Sequence, residues 1–115
     1  MAPTRNRSES TRTALVITQD RSAFHTVCNS FRGRRAVDEA NNIDTALELL
    51  RSRHYDFLFI DLDILRDQTG GNGYKTALQP LWLAAPDVEI IVMSPPEMIR
   101  EAVMAVKAGA SNYLT

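Results

Sequence analysis

The sequence has one cysteine, Cys28, and no apolar run near the ~20 residues that a membrane-spanning helix requires. A single cysteine cannot form a disulfide within the chain, so the composition is not that of a disulfide-stabilised secreted domain. Charge excess is also lacking, because 13 basic and 14 acidic residues give a formal net charge of −1. Binding to nucleic-acid phosphates needs a basic excess. We therefore expect a cytoplasmic protein that makes no direct contact with nucleic acid or membrane.

The amino-terminal segment has little apolar character. Residues 1–12 are rich in Arg, Ser and Thr and contain no Leu, Ile, Val or aromatic residue. Such a segment buries too little surface to order itself. The whole chain of 115 residues is 44% hydrophobic, which suits one globular domain. We expect a disordered tail over 1–13 and a single domain over 14–115.

Short apolar runs alternate with segments of helical periodicity from Ala14 onward. The runs predict five strands, at 14–17, 36–37, 57–60, 88–93 and 113–114. The periodic segments predict four helices, at 23–31 (ending near Gly33), 42–50, 78–85 and 98–107, with Asn42 as a cap. Pro80 should kink the third helix or mark its first turn. In the fourth helix, Ile99, Ala102, Val103 and Val106 should point inward.

The alternation of strands and helices predicts an α/β domain with a doubly wound, five-stranded parallel sheet. The run 57–60 is apolar on both faces, which is typical of a central parallel strand. Ligands of such sheets bind beyond the carboxyl ends of the strands. Chemistry is therefore expected at 18–20, 61–63, 94–96 and Thr115.

A nucleotide-dependent enzyme is disfavoured by the first of these loops. Residues 18–22 read Thr-Gln-Asp-Arg-Ser and contain no glycine that would let the backbone approach a pyrophosphate. Gly70, Gly71 and Gly73 follow the third strand and suggest a mobile loop. A small flavin-binding reductase is thus the weakest of the hypotheses, and we expect a protein that is not an enzyme.

Four segments resemble the receiver domains of two-component response regulators: Asp56–Asp63, Pro86–Ser94, Ala105–Thr115 and Ala40–Leu50. The resemblance covers 14–115. It implies a flavodoxin-like sheet in the order 2-1-3-4-5 and a histidine kinase that transfers a phosphoryl group to Asp61. It further implies that Ser94 donates a hydrogen bond to that group, and that Tyr113 is the aromatic residue that changes rotamer with it. Such transfer uses Mg²⁺, and the resemblance places a metal-binding carbonyl at Asp63.

The metal ligands at the first strand depart from the receiver pattern. Receivers end this strand with two adjacent carboxylates, whereas here Thr18 and Gln19 occupy those positions. Asp20 could substitute only if the strand were shifted or bulged. Because Mg²⁺ relies on anionic oxygens, we expect weak metal binding by Asp61, Asp63 and Asp20. Pro95 and Pro96 also restrict the loop after Ser94.

The family's lysine and last helix would follow Thr115, so we expect a domain that is incomplete at its carboxyl end and belongs to a longer transcriptional regulator. The ending resembles receivers of sigma-54-type transcription activators. The output domain, including any DNA binding, would lie in the rest of that protein. Glu97–Lys107 and Tyr113 would form a homodimer or partner surface, as in receivers.

Two hypotheses remain open. In the first, Asp61 accepts phosphate and controls the output domain. In the second, the chain is a pseudo-receiver, a dimerisation or docking module that works without phosphorylation. Asp61 and Ser94 favour the first hypothesis, whereas Thr18, Gln19 and the two prolines favour the second.

Overall fold

A computed structural model describes residues 14–30 and 37–115. Its five strands are β1 (Ala14–Ile17), β2 (Val37–Ala40), β3 (Phe57–Asp61), β4 (Glu89–Met93) and β5 (Asn112–Leu114). All pairs are parallel and the strand order is β2-β1-β3-β4-β5. The predicted doubly wound sheet and its order are confirmed. The predicted tail (1–13), Phe31, Gly33 and Ala36 lie outside the described residues, as does the side chain of Cys28.

Five α-helices lie in the described ranges, rather than the four predicted. They are α1 (Arg21–Ser30), α2 (Ile43–Ser52), α3 (Leu62–Asp67), α4 (Tyr74–Ala84) and α5 (Ile99–Lys107), with a 3₁₀ turn at Pro96–Met98. The additional helix is α3. It has only six residues, but Leu62 and Leu65 bury its inner side in the core. Asn42 caps α2 as predicted, because its side chain accepts a hydrogen bond from the Thr45 N–H.

Pro80 lies inside α4, with six helical residues before it. The prediction that it marks the first turn is therefore wrong. Because proline has no N–H, the helix lacks one backbone hydrogen bond there. Buried Ala77, Leu78 and Leu81 flank the proline and keep the helix packed on the sheet.

The inward face of α5 also differs from the prediction, most clearly at Ile99. Ile99 is 44% exposed. Met98, Ala105 and Val106 contact the main core and Ala102 is fully buried, at the spacing i, i+4, i+7 and i+8 of one helical stripe. The stripe therefore begins at Met98 in the 3₁₀ turn, which rotates Ile99 towards solvent.

The central strands are apolar, β1 throughout and β3 up to Ile60, because both faces of the sheet are covered there. Leu15, Ile17, Leu58 and Ile60 face the larger core, which includes side chains from α2 to α5. Residues in between, such as Val16 and Phe59, face the other side and pack with Val27 and Phe24 of α1. Helices on both faces leave the carboxyl ends of the strands as the accessible edge.

Candidate functional site

Asp61 ends β3 at the carboxyl edge of the sheet. It occupies the N-cap position of α3, but its side chain makes no capping hydrogen bond to that helix. The residue is half-buried. Its carboxylate is therefore directed to partners other than the helix that follows it.

The partner of Asp61 is Thr18, which follows the neighbouring strand β1. Ile17 is in register with Ile60, so the next residues on the two strands, Thr18 and Asp61, lie side by side. The Thr18 side chain is 1% exposed, and its Oγ1 donates a hydrogen bond to Asp61 Oδ2 at 2.6 Å. The same hydroxyl oxygen accepts the backbone N–H of Asp20 at 2.9 Å. Thr18 thus links the carboxyl ends of β1 and β3.

Burial raises the pKa of the Asp61 carboxyl above the usual aspartate range. The hydrogen bonds from the Thr18 hydroxyl and the Gln19 backbone oppose this rise. The negative charges of Asp20 and Asp63 add to it. Asp61 therefore lies among carboxylates, and its hydrogen-bond donors are neutral.

Gln19 and the predicted metal ligands Asp20 and Asp63 have partners other than Asp61. The Gln19 side chain donates to the Asn41 carbonyl at 3.2 Å, on the β2 side of the sheet. Asp20 Oδ1 accepts the Ser22 N–H at 2.9 Å and so starts α1. Asp63 is exposed and pairs with Arg66 at 3.6 Å within α3.

Ser94 follows β4 and lines one cavity with Asp61, because Asp61 and Met93 are in register on neighbouring strands. The cavity measures about 490 Å³. The Ser94 hydroxyl is buried and donates to the Pro95 carbonyl at 2.9 Å. Tyr113, on β5, is half-buried and packs against the main core. Asp20 and Asp63 also line the cavity, and its remaining lining is mainly apolar: Ala23, Val27, Leu62, Met93 and Leu114.

Comparison with known proteins shows the family of the chain. The model of the response regulator receiver domain matches residues 15–115. The chain belongs to this family. It is a receiver domain of a two-component response regulator, and its sheet order is that of the family's flavodoxin-like fold. Receiver domains are regulatory, take phosphate from histidine kinases and commonly bind Mg²⁺.

Three relatives show the extent of the similarity. A response regulator of Burkholderia pseudomallei, solved with a phosphorylated aspartic acid and a calcium ion, is 33% identical with a TM-score of 0.69, over 90% of this chain and 58% of that one. A response regulator of Thermotoga maritima is 26% identical with a TM-score of 0.69, over 90% and 83%. The sensory transduction protein LytR of Staphylococcus haemolyticus is 38% identical over 50 residues, which are 44% of this chain and 19% of LytR.

The side chains at this edge do not fit a magnesium ion. Across 14–30 and 37–115, no three or more His, Cys, Asp and Glu side chains are grouped so that they could hold a metal. Thr18 has a neutral hydroxyl where receivers have a carboxylate, and that hydroxyl already donates a hydrogen bond to Asp61 Oδ2. Because Mg²⁺ gives up its water reluctantly and relies on anionic oxygens, a site in which a neutral hydroxyl replaces a carboxylate and already binds Asp61 Oδ2 is poorly suited to it.

From the sequence, Thr18 was interpreted only as a neutral residue in place of a carboxylate, and its hydrogen bond to Asp61 was not predicted. The signal was present: two buried parallel strands, 14–17 and 57–60, each ended in a polar residue. The outcome depended on register, because a shift of one residue would have placed Gln19 beside Asp61.

Among the described helices, none combines the length and apolar character that crossing a bilayer requires.

Proposed function

We propose that this receiver domain acts as a pseudo-receiver, a docking module whose association does not depend on Mg²⁺-assisted phosphorylation. The observation that carries the proposal is the hydrogen bond from Thr18 Oγ1 to Asp61 Oδ2 at 2.6 Å. In this hydrogen bond a neutral donor occupies one carboxylate oxygen of Asp61. The contact lies at the strand ends where receivers bring acidic metal ligands together.

Electrostatics at Asp61 support the proposal. A phosphoryl donor carries negative charge, and its approach to a carboxylate needs a compensating cation. Asp20 and Asp63 add negative charge near Asp61. Arg66 of α3 and Arg21 of α1, which belong to the helices that start at this edge, are already paired, with Asp63 and Glu39. Transfer to Asp61 should therefore be slow.

Phosphorylation of Asp61 by a histidine kinase is the second candidate. It is favoured by the common cavity of Asp61 and Ser94, because the Ser94 hydroxyl could rotate from the Pro95 carbonyl towards a phosphoryl oxygen. Tyr113 would then be the switch aromatic. In this candidate Asp61, Asp63 and Asp20 would be the metal ligands, and binding would be weak.

The docking surface that we propose is formed by Glu97–Lys107 and Tyr113. Within it, Ile99 and Met104 on α5 are apolar residues that are 44% and 49% exposed. The partner that we propose is a second copy of the domain. The same helix carries both Glu101 and Lys107, and a twofold pairing can place acidic residues of one copy opposite basic residues of the other.

In the cell, we propose that the domain regulates an output domain of a longer, cytoplasmic transcription regulator and is not itself an enzyme. The similarity to LytR, a sensory transduction protein that is much longer than the matched segment, supports this proposal. DNA contact would belong to the output domain, since the charges of this chain nearly cancel.

Sedimentation equilibrium tests the proposal. We expect the parent chain to self-associate without a phosphoryl donor, and Asp61→Asn to leave that association unchanged. Met104→Glu should weaken it at least about tenfold, since a charge would be buried in the interface. Leu83→Glu is the matched control. Leu83 is an apolar residue that is 77% exposed on α4 beside Arg51 of α2, outside the proposed docking surface. Association that requires a phosphoryl donor and is lost in Asp61→Asn would contradict the proposal.

A further inference from the structure

A cavity of about 590 Å³ lies where α3, the loop 68–73, α4 and α5 meet, and we call it the glycine-loop cavity after Gly71 and Gly73 in its lining. Its volume falls within the range of about 300–1,000 Å³ that is usual for small-molecule sites. Among the residues that the structure describes, none lines both this cavity and the cavity at Asp61. We propose that the glycine-loop cavity binds a small organic phosphate, in which a phosphate group is joined to an aromatic body.

Three cationic side chains from three different helices line the cavity: Arg66 of α3, Lys75 of α4 and Lys107 of α5. Within 14–30 and 37–115, neither lysine takes part in an ion pair. Arg66 pairs with Asp63 through one nitrogen at 3.6 Å, and a guanidinium has five N–H donors, so others remain for a ligand. Like charges around one cavity repel one another, and an anion between them relieves the repulsion. The cations therefore favour an anionic ligand.

Glu101 is the carboxylate in the lining, and it does not neutralise these cations. Its Oε1 accepts the hydroxyl of Tyr74 at 2.5 Å. Tyr74 is 6% exposed, so this hydrogen bond holds Glu101 at a buried side chain rather than at an exposed lysine. The lining thus keeps an excess of positive charge.

The loop 68–73 gives the cavity a wall of backbone without bulky side chains. Gly71 and Gly73 have φ values of 84° and 92°, and a Cβ at either position would meet nothing within 4 Å. Thr69 anchors the loop to α3, because its hydroxyl donates to the Arg66 carbonyl at 2.9 Å. The glycines leave the backbone beside the cations uncovered, which allows the close approach of a phosphate group.

An apolar part of the lining comes from Met104 and Ala108. Met104 is 49% exposed, and a thioether makes favourable contacts with aromatic rings. The cavity therefore suits a phosphate that carries an aromatic body better than it suits free phosphate. Met104 and Lys107 also belong to the proposed docking surface, whereas Arg66 and Lys75 do not. Substitution of Arg66 or Lys75 thus tests ligand binding without altering that surface.

Equilibrium dialysis of labelled adenosine monophosphate (AMP) against the full chain tests the proposal. We expect saturable binding, and Lys75→Gln and Arg66→Gln should each weaken it about three- to tenfold, because each removes a charged donor to phosphate. Arg51→Gln is the matched control, since Arg51 is an exposed cation of α2 that does not line the cavity. It should leave AMP binding unchanged. As competitors, adenosine and inorganic phosphate should each bind at least about tenfold more weakly than AMP, because each lacks one half of the ligand.

Three results would overturn the proposal. The first is the absence of saturable AMP binding up to about 5 mM. The second is an affinity that Lys75→Gln and Arg66→Gln leave unchanged, or that Arg51→Gln lowers as much as they do, since that would indicate a general effect of charge. The third is adenosine or inorganic phosphate binding as tightly as AMP. Self-association of Lys75→Gln, measured by sedimentation equilibrium, should match that of the parent, so the outcome for the docking surface does not decide the outcome for this cavity.

Discussion

Thr18 Oγ1 lies 2.6 Å from Asp61 Oδ2, and this hydrogen bond joins the carboxyl ends of β1 and β3. In receivers, metal-binding carboxylates stand at this end of the first strand. In this chain the buried hydroxyl of Thr18 connects the two strands without a metal. Asp61 lies at the end of a central strand, as in receivers. The domain thus combines the receiver fold with a pocket that is poorly suited to magnesium.

Replacement of Thr18 tests the energetic importance of this contact. Thr18→Val retains the shape but leaves Asp61 Oδ2 and the Asp20 N–H without the hydroxyl. We expect the free energy of unfolding to fall by about 1–3 kcal/mol, because these polar groups lose their partner. Urea denaturation measures it. Thr18→Ser keeps the hydroxyl and should cost less, so a serine variant as unstable as the valine variant would show that the hydrogen bond contributes little.

The raised pKa of Asp61 predicts a pH-dependent stability. The folded protein binds this proton more tightly than the unfolded chain, whose aspartate pKa is about 3.9. The free energy of unfolding should therefore decrease as pH rises from the unfolded pKa through the pKa of folded Asp61. Above the folded pKa, the full cost of burying the charged carboxylate remains. Asp61→Asn lacks this penalty, so its stability relative to the parent should increase over the same window.

Urea midpoints of the parent and Asp61→Asn, measured from about pH 4 to about pH 7, check this prediction. Asp87→Asn, a change at an exposed position, controls for the loss of one negative charge. A difference between Asp61→Asn and the parent that is constant with pH would show that the desolvation of Asp61 does not limit stability.

Substitution of Gly109 tests the packing between α4 and the turn before β5. Its φ is 132°, and an added Cβ would overlap the ring of Trp82. We expect Gly109→Ala to reduce the free energy of unfolding by more than about 1 kcal/mol, through both backbone strain and overpacking. Trp82 fluorescence during denaturation reports the change.

Gly71→Ala is the matched control for Gly109→Ala. Gly71 also has a positive φ, 84°, but a Cβ there would have no neighbour within 4 Å. It should therefore show the effect of backbone strain alone. Equal destabilisation by the two variants would contradict a packing role for Trp82.

The central strands were predicted well because 14–17 and 57–60 are short, apolar runs, and their alternation with helices indicated a parallel sheet. The strand order came from the resemblance to receivers. Helix α3 was not predicted, because six residues are fewer than two turns and too short to show a 3.6-residue period. The alternative that Pro80 marks a first turn was wrong because packing of Leu78 and Leu81 lets the helix continue through the proline. Ile99 was misassigned because periodicity does not show where the inward stripe of a helix begins.

Prediction of the site from sequence was also incomplete, for a different reason. The strand ends located Asp61, Ser94 and Thr18 at one edge, as the structure places them. Hydrogen-bond partners such as Thr18 with Asp61, or Tyr74 with Glu101, depend on register and side-chain rotamers that link residues distant in sequence. Local patterns carry no information on such pairs.

The central claim is that Asp61 is poorly set up for Mg²⁺-assisted phosphorylation, and intact-protein mass spectrometry with a small phosphoramidate donor and Mg²⁺ tests it most directly. We predict that the parent gains a phosphoryl group slowly or not at all, and that Thr18→Asp/Gln19→Asp gains it at least about tenfold faster, a barrier difference of about 1.4 kcal/mol. Asp61→Asn is the control for the site of addition. Rapid, Mg²⁺-dependent addition of one phosphoryl group to the parent, absent in Asp61→Asn, would contradict the claim.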